Sequence, residues 1–137
     1  MMDEYRVSVE VPSVEDYCRL RRDAGLTPRS ETAAAAGLPN TVVGVLVRQG
    51  DRVVGMGRAM GDGLCYQIVD IAVEPAHQGR GLGKAIVARL MQELRQIAPA
   101  EAYVSLIADG DARHLYAQYG FVPTAPASIG MAQWIGQ

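Results

Sequence analysis

A strand that runs into a glycine-rich turn and then a helix is the part of this chain whose residue types and spacing can do chemistry. It reads Val69-Asp70-Ile71-Ala72-Val73-Glu74-Pro75-Ala76-His77-Gln78-Gly79-Arg80-Gly81-Leu82-Gly83-Lys84. Apart from Asp70, Ile68 to Val73 is apolar and rich in β-branched residues, as a buried strand requires. Pro75 withholds a ladder donor and stops the pairing. From Gly83 onward Ile86, Val87, Leu90, Met91, Leu94 and Ile97 recur at helical spacing until Pro99 ends the run. Gly79, Gly81 and Gly83 therefore sit at a helix N-terminus, where unpaired N–H groups and the positive end of the helix dipole attract an anion. Glycine lets the backbone adopt positive φ and approach a ligand closely.

Two common phosphate-binding patterns do not fit. A P-loop needs Ser or Thr after Gly-Lys to hold magnesium, and Gly83-Lys84 is followed by Ala85. The dinucleotide fingerprint needs a further glycine where Ile86 stands, in a chain long enough for two mononucleotide-binding halves.

Gln78-Gly79-Arg80-Gly81-Leu82-Gly83 resembles instead the pantetheine and pyrophosphate signature of the GNAT acyltransferases: Arg or Gln, two residues, Gly, one residue, then Gly or Ala. A second motif follows, Asp109-Gly110-Asp111-Ala112-Arg113-His114-Leu115-Tyr116-Ala117-Gln118-Tyr119-Gly120-Phe121. It is similar to the family pattern of Asn, then Ala three residues on, then Leu-Tyr, then Gly-Phe, and it departs only at Asp109. An Asn there can donate to the pantetheine arm; a carboxylate cannot.

The resemblance implies an α/β fold with a mixed, mainly antiparallel central sheet flanked by helices, and a single domain over residues 1–137. It implies an N-acetyltransferase that uses acetyl-CoA as co-substrate, with no metal, on a small-molecule primary amine. Transfer to a protein or peptide amine is one rival reading, and a CoA-binding sensor without turnover is another. Cofactor contacts fall on Gln78, Gly79, Arg80, Gly81, Leu82, Gly83, Lys84, Asp109 and Ala112. The oxyanion donor is a main-chain N–H among Ile71, Ala72 and Val73. Tyr116, the tyrosine of the Leu-Tyr pair, is the expected acid for the departing thiolate. A homodimer is compatible with the family.

The proton acceptor is less legible. Where some family members carry a Glu early in the strand, this chain has Gln67. Asp70 is the ionisable residue of the strand and is expected at the acceptor side, holding or deprotonating the amine. The alternative is a salt bridge with an arginine such as Arg58. Glu74, at the strand's exit, is expected to be solvated, and water remains a third candidate. His77 and His114 are expected at the surface.

A chain of 137 residues with 49% hydrophobic and 20% charged side chains suits one core. A net charge of −2, with no basic run, argues against nucleic acid and weakly favours a cationic amine. No targeting pattern or membrane-length apolar stretch is present in the sequence, so a cytosolic enzyme with reduced Cys18 and Cys65 as core filler is expected.

The elements that must position these residues follow from pattern. Tyr5 to Val11 alternates as a strand. Ser13 caps a helix that Gly25 stops, and Ser30 to Ala36 forms a second, closed by Gly37. Thr41–Arg48 and Arg52–Met60 flank a hairpin turn, and Leu64–Val73 is the next strand. In that strand Ile68, Asp70 and Ala72 share one face, and Val69, Ile71 and Val73 the other, unless a bulge intervenes. After the long helix come a strand over Ala102–Ala108, a helix over Asp111–Tyr119, a strand from Phe121 and a last strand over Gly130–Ile135. The acceptor pocket is expected from Leu26–Asn40 and the loop Pro123–Ser128.

Overall fold

The computed structural model describes residues 4–136, which form two compact units, one ending at Leu106 and the other beginning at Ile107. In the first, strands β1 (Tyr5–Val9), β2 (Val43–Gln49), β3 (Arg52–Gly61), β4 (Cys65–Val73) and β5 (Tyr103–Ser105) make one sheet in sequence order. β1 to β4 pair antiparallel, and β5 lies parallel to β4. The mixed, mainly antiparallel sheet is the expected one.

Helices α1 (Val14–Asp23) and α2 (Glu31–Gly37) precede β2. The Ser13 side chain accepts from the Asp16 N–H at 3.1 Å and the Ser30 side chain from the Ala33 N–H at 3.0 Å, so both caps fall where the sequence places them. One apolar core joins Tyr17 and Leu20 of α1 and Ala34 of α2 to Leu46, Met56 and Ala72 of the sheet.

The long helix α3 (Leu82–Ile97) packs against β2, β3 and β4. Ile86, Val87 and Leu90 are fully buried, each contributing about 1.5–3 kcal/mol relative to exposure. Gly57 of β3 makes this approach possible. A Cβ there would lie 2.5 Å from Ile86 Cγ2 and 2.6 Å from Ile71 Cδ1, closer than atoms pack.

β4 contains the irregularity that matters for function. Opposite it, Met56 pairs with Ala72 and Arg58 with Val69, so Gly57 faces two residues, Asp70 and Ile71. This is a bulge, and Asp70 takes φ +59° within it. The bulge corrects the strict alternation: Val69, by pairing with Arg58, and Asp70 both line the α1–α2 side, whereas Ile71 meets Gly57 and hence α3. Ile68 pairs with Ala59 and shares the α3 face with Ile71.

The strand predicted over Ala102–Ala108 shrinks to Tyr103–Ser105, and its ladder with β4 ends at Gln67 opposite Ser105. A bulge bends and twists its strand, and this ladder stops just before the bulge at Asp70.

In the second unit α4 (Ala112–Ala117) is shorter than the predicted Asp111–Tyr119. No strand forms among the described residues after Phe121, contrary to both strands predicted there. Pro123 and Pro126 withhold donors, and the Ser128 N–H turns back to the Thr124 carbonyl at 3.0 Å, so the segment closes on itself rather than offering a ladder.

Candidate active site

The turn between β4 and α3 is built to receive an anion. A 3₁₀ turn over Pro75–His77 leads into Gln78, whose Nε2 donates to the Val73 carbonyl at 3.0 Å. Gly81 caps α3 at φ +80°, a left-handed conformation that costs an L residue about 1–2 kcal/mol. The first helical bond runs from the Ala85 N–H to the Gly81 carbonyl at 3.0 Å, and no side chain caps the helix. The N–H groups of Leu82, Gly83 and Lys84 therefore open the helix without an intrahelical partner, and the space around Gly79 and Gly81 is clear. Arg80 and Lys84 are exposed at this turn. Arg80 Nη1 also donates to Tyr5 Oη at 3.1 Å, and that hydroxyl lies 2.7 Å from His77 Nδ1. His77 is accordingly half-buried rather than at the surface; His114 is exposed, as expected.

β4 offers the second functional edge. The Glu74 N–H bonds the Val54 carbonyl of β3 at 2.8 Å, so in the alternation of an extended strand the main-chain groups of Val73 and Ile71 turn to the opposite side. Gln78 reaching the Val73 carbonyl marks that side. Beyond Gln67 no strand pairs with this edge among the described residues. Ala72, by the same alternation, addresses β3, so of the three expected donors only Ile71 and Val73 turn their N–H groups away from it.

Asp70, within the bulge, lies in an arginine clamp. Arg21 Nη1 reaches Oδ1 at 2.5 Å and Arg58 Nε reaches Oδ2 at 2.8 Å; the three side chains are 5–11% exposed. This is the ion-pair alternative, doubled. Arg58 continues to Thr41 Oγ1 at 2.7 Å and sits 5.6 Å from the centre of the Tyr17 ring. Burial, aided by the Asp70 charge, raises the Tyr17 pKa above its ordinary 10.0 and keeps its hydroxyl protonated. A cavity of about 240 Å³ opens here, lined in part by Arg29, Leu38, Arg58 and Asp70, so the expected Leu26–Asn40 segment does border it.

Glu74 departs from its expectation. It is buried, not solvated, and is held by Arg19 and by Arg52, whose Nη2 is 2.6 Å away. Burial pushes its pKa up, but the hydrogen bonds and charges of Arg52 and Arg19 outweigh this and hold it below 4.5. Cys18 packs beside the core, whereas Cys65 is exposed and fills none.

Tyr116, Asp109 and Ala112 belong to the second unit. The half-buried Tyr116 ring meets Phe121 edge-on at 6.2 Å. Burial, with the Asp109 charge adding, pushes the Tyr116 pKa above 10.0. The Asp109 side chain is exposed, and its carbonyl accepts from the Ala112 N–H at 3.0 Å.

Residues 40–123, spanning parts of both units, match the acetyltransferase (GNAT) domain model. The chain belongs to the GNAT family. A protein of unknown function from meticillin-resistant Staphylococcus aureus, described as a probable acetyltransferase, is similar at 43% identity and a TM-score of 0.91, over 96% of this chain and 99% of that one. A GNAT protein from Streptococcus pneumoniae superposes at a TM-score of 0.77 with 25% identity, over 98% of this chain and 99% of the other. The chloroplastic serotonin N-acetyltransferase 2 of Oryza sativa subsp. japonica is 38% identical over 59% of this chain and 40% of its own length. The chain spans about half the length or less of such curated relatives. The residues around Asp70 and Glu74 that sequence pattern did not single out are Tyr17, Arg19, Arg21 and Arg52. Arg21 had a signal, since it follows Tyr17 by one helical turn on the apolar stripe of α1. Arg19 and Arg52 had none.

Proposed function

We propose that this GNAT domain is an N-acetyltransferase that moves an acetyl group from acetyl-CoA to the primary amine of a small molecule. The observation that carries this reading is the N-terminus of α3 behind Gly81, capped by no side chain, set beside the edge of β4 that beyond Gln67 no strand pairs with among the described residues. The N–H groups of Leu82, Gly83 and Lys84 hold the pyrophosphate, with Gln78, Gly79, Arg80 and Ala112 as further cofactor contacts. Asp109, exposed and a carboxylate, cannot donate from its side chain to the pantetheine arm as an Asn would.

The bound co-substrate supplies an activated thioester carbonyl. The Ile71 or Val73 N–H receives the oxyanion as the amine nitrogen bonds to the carbonyl carbon. The carbon–sulfur bond then breaks, and Tyr116, protonated through the neutral range, gives its proton to the thiolate. The proton lost by the amine goes to water. Glu74, held by two arginines below the ordinary carboxylate range, is a poor acceptor. Asp70 serves as a positioning residue, since its carboxylate neutralises Arg21 and Arg58. The cavity of about 240 Å³ has room for a small acceptor.

Thiol release from acetyl-CoA across a panel of small amines and peptides, with acetylated products identified by mass spectrometry, tests the reading. Turnover of a small amine is expected. CoA binding without turnover of any amine supports a sensor instead, and turnover of peptides alone overturns the small-molecule acceptor.

A further inference from the structure

Beside β4 the cavity brings together more cationic than anionic charge. Arg21 and Arg58 each occupy one oxygen of Asp70, so that cluster is one positive charge in excess, and the exposed Arg29 also lines the cavity. The clamp side chains, 5–11% exposed, are costly to leave under-compensated, and a bound anion would relieve them. Arg58 has the means to receive one. Its Nε goes to Asp70 and its Nη1 to Thr41 Oγ1 and Met60 Sδ. Among the described residues no hydrogen bond uses Nη2, yet no buried side-chain nitrogen or oxygen there lacks a partner. Nη2 is therefore accessible, on a side chain that lines the cavity. The volume, about 240 Å³, is that of about eight waters at ~30 Å³ each, enough for a compact acceptor.

We propose that the cavity binds a small amine that also carries a compact oxyanion, carboxylate or phosphate, and that Arg58, aided by Arg29, receives that anion. Asp70 and Tyr17 hold Arg58 in place, the first by the ion pair and the second by its ring face. A plain cationic amine meets the excess positive charge without compensation; the chain's net charge of −2, which weakly favours such an amine, is reversed locally. Calling the ligand an acceptor rests on the acetyltransferase reading; the anion site does not.

Two matched pairs test it: 3-aminopropanoate against propylamine, and phosphoethanolamine against ethanolamine. Each is measured for binding by calorimetry and for thiol release from acetyl-CoA, in the natural protein and in Arg29→Gln and Arg58→Met. The anionic member of at least one pair should win by about tenfold or more, the scale of a hydrogen bond to a charged group, and the pair that does so identifies carboxylate or phosphate. Both substitutions should shrink that preference without weakening CoA. Arg29, being exposed and outside the clamp, keeps the test available where Arg58→Met fails to fold. Arg58-dependent binding of the anionic member, with no thiol release from it or from any amine of the panel, sustains the anion site and overturns the acetyltransferase reading. Equal or better use of the partner that lacks the oxyanion overturns the anion site and leaves that reading standing, and neither binding nor turnover of any anionic member also overturns the anion site.

Discussion

Replacing Asp70 by Asn separates the two jobs a carboxylate can do here. Asparagine tolerates φ +59° as aspartate does, so the bulge keeps its backbone and only the charge is lost. Arg21 and Arg58, with side chains 9% and 11% exposed, then share a neutral amide where each had a carboxylate oxygen within 2.8 Å. Removing one partner of a buried ion pair costs about 3–5 kcal/mol. In a chain of this size 1 kcal/mol moves Tm by about 3–4 °C, so a loss of about 10 °C or more is expected. Thermal and urea unfolding followed by circular dichroism measure it, and thiol release measures KM and kcat. KM for the acceptor should rise more than kcat falls, because Arg58 is no longer held. A Tm change below about 2 °C with a loss of about 10²-fold or more in kcat, the size of a lost acid–base group, would refute the positioning role and return Asp70 to proton transfer.

Tyr116→Phe should lower kcat by about 10²-fold or more with CoA affinity unchanged, as calorimetry and steady-state kinetics will show; an effect within about twofold makes the hydroxyl structural. Because the Tyr116 pKa lies above 10.0, its titration should put no descending limb into the kcat profile between about pH 7 and 9. Glu74 has its folded pKa depressed, so its stabilisation is present above 4.5 and is lost as pH falls through the folded value. Acid titration of Tm should show a steeper fall below pH 4.5 in the natural protein than in Glu74→Gln, and equal slopes would remove Glu74 from the acid response. Gly57→Ala drives a Cβ to 2.5 Å from Ile86 Cγ2, and about 1–3 kcal/mol of overpacking should appear in urea unfolding; an unchanged midpoint would mean α3 shifts freely.

What was legible in the chain was whatever local pattern dictates. The serine caps, the hairpin at Gly50 and the glycine turn into α3 each depend on residues within one turn of one another, and they formed where pattern placed them. The turn of the cradle, the best-marked local feature, shows the left-handed glycines its composition implies. Long-range electrostatics were not legible. Glu74 looked solvated because Arg19 and Arg52, which bury it, lie far away in sequence. Asp70 showed only as a lone charge in an apolar run, and its choice of Arg21 with Arg58 depends on the bulge that turns it toward α1. The strands predicted after Phe121 failed for a related reason: apolar composition makes a strand only where an edge is available, and prolines at 123 and 126 withhold donors from that ladder. Gly57 carried no local signal, since the helix it admits begins far along the chain.

The central claim is that the N-terminus of α3 holds the cofactor, and titration of CoA into the natural protein and into Gly81→Val tests it most directly. A β-branched residue at φ +80° carries the left-handed penalty of about 1–2 kcal/mol and brings a side chain into the open cradle, while the core and the rest of α3 are untouched. The natural protein should bind CoA, and the variant, with its fold intact by circular dichroism, should lose binding by at least about tenfold, or 1.4 kcal/mol. Equal affinity in the two folded proteins would place the anion site elsewhere and contradict the claim.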